Sequence, residues 1–223
     1  MFVSSSSVPG HVDTPLGDIF SKNRRQRWRS RCSPKAGIPS DHPQQQQQNV
    51  ISLNEFRRGV GLCLFNRNRN GSVFAARRMD DTKKTWQMPQ GGIDPMENPL
   101  VAAIRELREE TGIPPDSVRV VASIDAWLDY EFPTKVKNGN GHISLYRGQT
   151  QKWLLLEFLG SDDEIDLFSH HGAPEFSEWC WMPLEHLPKS VVDFKKGVYE
   201  EVCQQFAPRI RLVVDNNVSR LGF

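Results

Sequence analysis

Residues 91–113 read GGIDPMENPLVAAIRELREETGI, and this stretch decides how the chain folds. Asn98 can cap a helix by accepting from an early N–H, Pro99 suits the first helical position, and Gly112 can take the left-handed conformation that closes the last turn. The spacing predicts a helix from about Pro99 to Thr111. Leu100, Ile104 and Leu107 recur on one apolar face, whereas Glu106, Glu109 and Glu110 fall one turn apart on another, so three carboxylates are expected to converge. Like charges at that spacing destabilise a helix by roughly a few tenths of a kcal/mol per pair, which solvent or a cation must relieve. Most charge runs are simply solvated faces. The sharper reading is a hard divalent cation: Mg²⁺ prefers oxygen ligands, keeps several waters and joins one or two carboxylates to phosphates.

The 223 residues are 38% hydrophobic and 25% charged, which suits one globular domain with an extension. No apolar run approaches the roughly 18 residues that span a bilayer, so a soluble protein with no membrane partner is expected. The net charge is +1, but residues 1–50 hold seven Lys/Arg and three Asp, leaving 21 basic against 24 acidic residues afterwards, or −3. That balance argues against broad nucleic-acid affinity through phosphate neutralisation, and no stable nucleic-acid complex is expected. Cys32, Cys63, Cys180 and Cys203 form no metal or disulfide spacing and fit a reducing compartment. Cys63 and Cys180 lie in apolar runs as small buried thiols, and His170 and His171 sit in a polar loop.

Residues 1–53 differ from the rest. Serines alternate with an arginine cluster at Arg24, Arg25, Arg27, Arg29 and Arg31, and Gln44 to Gln48 form a polar tract. Ser-rich, Arg-rich, acid-poor composition resembles an organelle transit peptide followed by a linker. The first 21 residues lack Lys and Arg, which favours a chloroplast address over a mitochondrial one. A short basic nucleic-acid tail is the competing reading.

From residue 54 to 209 the chain reads as one domain, with 210–223 as a tail. Strands are expected at Gly59–Phe65 and Ser72–Ala76 around an Asn70-Gly71 turn, then at Val118–Ile124, Trp127–Tyr130, Trp153–Phe158 and Glu178–Met182. Val192 to Phe206 carries apolar residues at helical spacing. These elements make an α/β domain with a mixed sheet between helices.

Gly91, Glu97 and the run Arg105-Glu106-Leu107-Arg108-Glu109-Glu110-Thr111-Gly112-Ile113 resemble the Nudix box, GX5EX7REUXEEXGU with U aliphatic, at every defined position. Trp86-Gln87-Met88-Pro89-Gln90-Gly91-Gly92, Tyr130-Glu131-Phe132-Pro133, Gln149-Thr150-Gln151-Lys152-Trp153 and Pro174-Glu175-Phe176 resemble the subgroup that includes plant diadenosine tetraphosphate hydrolases and bacterial RNA pyrophosphohydrolases. The resemblance runs from about Phe56 to Pro208 and implies the Nudix α/β/α sandwich.

It also implies a hydrolase of nucleotide polyphosphates using Mg²⁺ or Mn²⁺. Glu106, Glu109 and Glu110 become metal ligands, joined by Glu175 from the Pro-Glu-Phe segment; any of the four could accept the water proton. Arg105 is expected to orient glutamates, because guanidinium stays protonated. Gly91 and Gly92 would let backbone approach metal or phosphate. Arg57, Arg77, Lys135 and Lys152 are candidate polyphosphate cations, and Tyr130 a candidate base-stacking residue, each otherwise an ordinary surface side chain. The remaining tryptophans read as core or pocket wall. The expected reaction is asymmetrical cleavage of diadenosine tetraphosphate to ATP and AMP. Pyrophosphate removal from 5′-triphosphorylated RNA or a guanosine alarmone is the enzymatic rival, and a noncatalytic nucleotide-binding module the rival of another class.

Overall fold

The computed structural model describes residues 55–134, 145–168 and 173–218. Contacts separate residues 1–48 from residues 49–223, and everything described lies in the second group. The expected targeting segment, the glutamine tract, Cys32, Lys135 and the His170–His171 pair lie outside the described residues.

The centre of the sheet is β1 (Phe56–Asn66), which runs parallel to β6 (Gly148–Phe158) along its entire length, from Phe56↔Gly148 to Asn66↔Phe158. β2 (Ser72–Arg78) returns antiparallel from β1, and β7 (Phe176–Met182) pairs with β2. β4 (Val118–Ser123) lies outside β6, giving the order β4-β6-β1-β2-β7. Two short strands occupy one end: β3 (Gln90–Gly92) on β1, and β5 (Leu128–Glu131) on β6. The mixed α/β sheet is as expected. The β1–β2 connection is longer than a two-residue turn, with a 3-10 turn at Arg67–Arg69 before Asn70 (φ 55°) and Gly71 (φ 74°).

Three departures share a cause. β1 begins at Phe56 and β6 at Gly148, both ahead of the apolar runs, and β3 has no apolar run at all. Their early residues, Arg57, Gln149, Gln151 and Gln90, are polar, so hydropathy does not mark them as strand. Backbone pairing does, and these same residues build the site.

Helix α1 (Pro99–Thr111) has the expected bounds. The Asn98 side chain accepts from Leu100 N at 2.8 Å, and Gly112 closes the helix at φ 73° with its N–H on Arg108 O. Ala102, Ala103, Ile104 and Leu107 are buried against the sheet, and Glu110 is buried with them rather than on a separate acidic face. The other face of the sheet is covered by the short α2 (Leu187–Ser190) and by α3 (Lys196–Val218), whose Val198, Tyr199, Val202, Phe206 and Ile210 pack with Cys63, Phe65, Met88, Trp153 and Leu155. α3 starts later than expected because Asp193–Lys195 forms a 3-10 turn. It also continues past Pro208, and Ile210 is core, so a domain boundary at 209 cuts this helix. Among the described residues no helix is long and apolar enough to cross a membrane.

Met96 is fully exposed and holds a left-handed φ of 65° in the turn before α1. A side chain with a Cβ is strained there and this one gains no packing, so Met96→Gly is expected to stabilise the fold by about 0.5–1 kcal/mol. Urea unfolding of the two proteins checks it; lower stability in the variant would show that the methionine makes a contact worth more than the strain.

Candidate active site

The end of β3, the turn that leads from it to α1, and α1 itself meet at a cluster organised by Arg105. Its Nε and Nη2 donate to the two Glu97 oxygens at 3.0 and 2.9 Å, Nη2 donates to Gly92 O at 2.9 Å, and Nη1 donates to Glu106 at 2.8 Å and Glu109 at 3.2 Å. The surrounding carboxylates, Glu97 foremost, raise the guanidinium further above its already high pKa. Arg105 therefore orients acids, as expected of it, and cannot carry a proton to or from substrate.

Gly91 is required by this packing. A Cβ at that position would overlap the Glu106 carboxyl group, and one at Gly92 would overlap the Arg57 guanidinium. Two bare backbone positions in succession thus seat a carboxylate on one side of β3 and a guanidinium cation on the other. Burial pushes the Glu106 carboxyl above its ordinary pKa, against the opposing pull of Arg105.

Glu110 is more deeply placed, at 4% exposure. One oxygen accepts from Gln90 N at 3.0 Å; the other is buried without a hydrogen-bond partner. Burial, with the Glu106 charge added, drives its carboxyl well above the usual range. A buried acceptor left unsatisfied costs roughly 1–3 kcal/mol, so the fold retains this atom at a loss.

The expected convergence of three ligands is not formed in this arrangement. Among the described residues no three acidic, histidine or cysteine side chains stand together as a metal site. Arg105 lies between Glu106 and Glu109, and Glu175 is ion-paired with Arg78. A hard cation nonetheless fits the chemistry: the donors are carboxylate oxygens, Glu110 offers an unpartnered one, and Gly91 leaves room for Glu106. Glu106, Glu109, Glu110 and Glu175 would hold it, the first two by exchanging contacts with Arg105.

On the α3 side of the sheet lies a second polar group, which sequence reasoning missed. Gln149 and Gln151 alternate with core Trp153 along β6, and Gln151 Nε2 donates to Gln149 at 3.0 Å and Gln90 at 3.1 Å. Lys195 Nζ donates to Gln87 Oε1 at 3.1 Å, and the Gln87 amide nitrogen and Gln151 amide oxygen have no partner. All four of Gln87, Gln149, Gln151 and Lys195 are buried. Burial, then the Arg78 charge, lowers Lys195 to a pKa of about 7. The available signal was the polar residues at alternate strand positions; Lys195, inside an apolar helix-like run, gave none.

Tyr130 belongs to this group. Its hydroxyl donates to Gln149, its ring packs on Phe132 and Phe194, and 6% of it is exposed. Such a ring presents no open face, unlike the stacking platform anticipated from the sequence. Arg57 is half-buried on the same face, with its charge felt by both Glu106 and Tyr130. Arg77 is paired with Glu178 at 2.7 Å and lies 4.2 Å over the Trp86 ring. Lys152 points to the α1 side, opposite Gln149 and Gln151, and donates to Asp125 O at 2.5 Å. The structure thus brings the Arg57 charge to Glu106, sets Tyr130 on the α3 face, and leaves Lys152 on the α1 face bonded to backbone.

The Lys195 shift has a consequence for stability. Between about pH 7 and the ordinary 10.5 the unfolded chain binds a proton there that the folded chain does not, so stability rises with pH across that window. Lys195→Met is expected to flatten this rise. Urea midpoints at pH 7 and pH 9 test it, and an equal rise in both proteins would show that Lys195 is not the source.

Residues 55–202 match the NUDIX domain. An RNA pyrophosphohydrolase of Cereibacter sphaeroides is 45% identical over 155 residues, covering 70% of this chain and 93% of that protein. The chloroplastic Nudix hydrolase 26 of Arabidopsis thaliana is 42% identical over 163 residues, covering 70% and 71%. Among solved structures, the E. coli dihydroneopterin triphosphate pyrophosphohydrolase shares the fold at a TM-score of 0.51 and 15% identity, covering 66% and 97%. The box helix, the cradle at Gly91, the match over residues 55–202 and relatives above 40% identity agree: the chain belongs to the NUDIX domain family of phosphoanhydride hydrolases.

Proposed function

We propose that this chain removes pyrophosphate from the 5′ end of triphosphorylated RNA, using a divalent cation held by Glu106, Glu109, Glu110 and Glu175. The observation that carries this reading is the buried Tyr130 ring, packed on Phe132 and Phe194, which offers no stacking face for a free dinucleotide's base. Relatives named RNA pyrophosphohydrolase align along nearly their full length, which supports the same substrate class.

When bound, the cation lowers the pKa of a water and neutralises charge on the phosphate that departs. The chain's own residues do the rest. Arg57 would hold phosphate oxygens by charge, Arg105 keeps Glu97, Glu106 and Glu109 oriented, and the buried Glu106 and Glu110 carboxyls, drawn back beside the cation to the ionised form, would ligate it or accept the water proton. Arg78 holds Glu175 until it is needed, since the two are ion-paired.

Asymmetrical cleavage of diadenosine tetraphosphate to ATP and AMP is the second reading. It is favoured by two partly exposed arginine–tryptophan stacks, Arg77 over Trp86 at 4.2 Å and Arg58 over Trp127 at 4.5 Å, on which a base could rest. Triphosphorylated RNA, diadenosine tetraphosphate and a guanosine alarmone should be compared by kcat/KM in Mg²⁺, with products resolved by chromatography. Preference for RNA supports the proposal, and preference for the dinucleotide overturns it in favour of the second reading. Binding of nucleotide with no turnover of any substrate would instead leave a noncatalytic module. A plastid address for residues 1–53 is proposed from their composition and the chloroplastic relative; cytosolic fluorescence of a full-length C-terminal reporter fusion would refute it.

A further inference from the structure

The segment from Gln87 to Gln90 bridges the two faces of the sheet, and its backbone is held at every residue. Gln87 exchanges two bonds with Ala76 at 2.9 Å, and Pro89 O accepts from Leu62 N at 2.9 Å. Both of those partners are strands. The remaining donors go to side chains on opposite helices: Gln90 N to Glu110 of α1 at 3.0 Å, and Met88 N to the Tyr199 hydroxyl of α3 at 2.9 Å. Met88 and Tyr199 are buried, so no water can replace that hydroxyl. Pro89 between them has a fixed φ and no N–H, which removes one torsional freedom from the link between the two donors.

We propose that Tyr199 is a positioning residue for Glu110: by anchoring Met88 it sets where Gln90 N–H meets the carboxylate, and hence where the carboxylate meets its cation. The inference rests on the reading of Glu110 as a metal ligand. No charge or proton passes along the path; the hydroxyl acts by fixing backbone.

Tyr199→Phe retains the ring and its edge contact with Trp153, and leaves Met88 N–H buried without an acceptor. Relief of that donor shifts Gln90 and frees Glu110. In the full-length protein, Mn²⁺ affinity measured by electron paramagnetic resonance is expected to weaken about tenfold, the size of effect seen when outer partners of metal ligands are removed. The Mg²⁺ concentration for half-maximal turnover should rise by the same factor while kcat at saturating Mg²⁺ changes little, and hydrogen exchange at Gln90 N–H should accelerate in the metal-free protein. In a Glu110→Gln background the same substitution should leave Mn²⁺ affinity unchanged, because the coupled group is gone. A merely structural tyrosine would lower the melting temperature as well, but would act equally on Mn²⁺ affinity in both backgrounds.

Should Tyr199→Phe not fold, a ring-fluorinated tyrosine at the same position weakens the acceptor without removing an atom, and a smaller loss of Mn²⁺ affinity is expected. Wild-type Mn²⁺ affinity in the folded Tyr199 variant, with reduced affinity in Glu110→Gln, overturns the positioning role alone. Wild-type affinity in Glu110→Gln overturns the ligand assignment and this inference with it.

Discussion

Glu110→Gln is expected to abolish most turnover, by at least about 10²-fold, while raising the melting temperature. The two effects have one origin. Burial and the Glu106 charge already oppose ionisation of Glu110, and one of its oxygens has no hydrogen-bond partner. A glutamine keeps an acceptor for Gln90 N–H and carries no charge into the interior, so the metal-free fold gains. The same neutrality removes a cation ligand and a base. Natural sites commonly trade stability for activity in this way. Kinetics in Mg²⁺ and thermal melting in EDTA test both halves. Wild-type turnover in the variant, or full activity of the wild type in EDTA, would remove the metal-hydrolase reading; a lower melting temperature would show that ionised Glu110 stabilises the fold.

Gly91→Ala should cost about 10²-fold in kcat/KM with little loss of stability. The added methyl would overlap the Glu106 carboxyl group, which is the far end of a flexible side chain and can swing toward solvent. Swinging it away relieves the clash cheaply. It also takes Glu106 from the position where it faces Arg105 and Glu110, and a misplacement of about 1 Å at a reacting centre is enough for losses of that order. Glu106→Ala combined with Gly91→Ala should then be no worse than Glu106→Ala alone, since the methyl acts only by displacing that carboxylate. A clearly additive loss would place the role of Gly91 in its backbone rather than in the space beside it.

The sequence by itself determined α1 and its ends, because Asn98, Pro99 and Gly112 act through bonds within a few residues of themselves. It determined the apolar middles of the strands and the α/β class for the same reason: periodicity is a local record of which face is buried. The box spacing named Gly91, Arg105, Glu106, Glu109 and Glu110, and the contact of Gly91 with Glu106 joins residues that the motif already sets in order. What depends on partners remote in sequence was not legible. Glu110 looks like its neighbour Glu109 in the sequence, yet one is buried and the other is 52% exposed, since only the first faces the β3 loop. Gln149 and Gln151 look like loop residues until β6 pairs with β1 and carries them beneath Tyr130. Lys195 and Tyr199 reach Gln87 and Met88 across 108 and 111 positions of chain, a separation over which no local pattern can register. Short-range hydrogen bonding and hydrophobic periodicity wrote the elements into the sequence; burial of polar groups, which sets the electrostatics of the site, arose only when the sheet brought both helices onto its two faces.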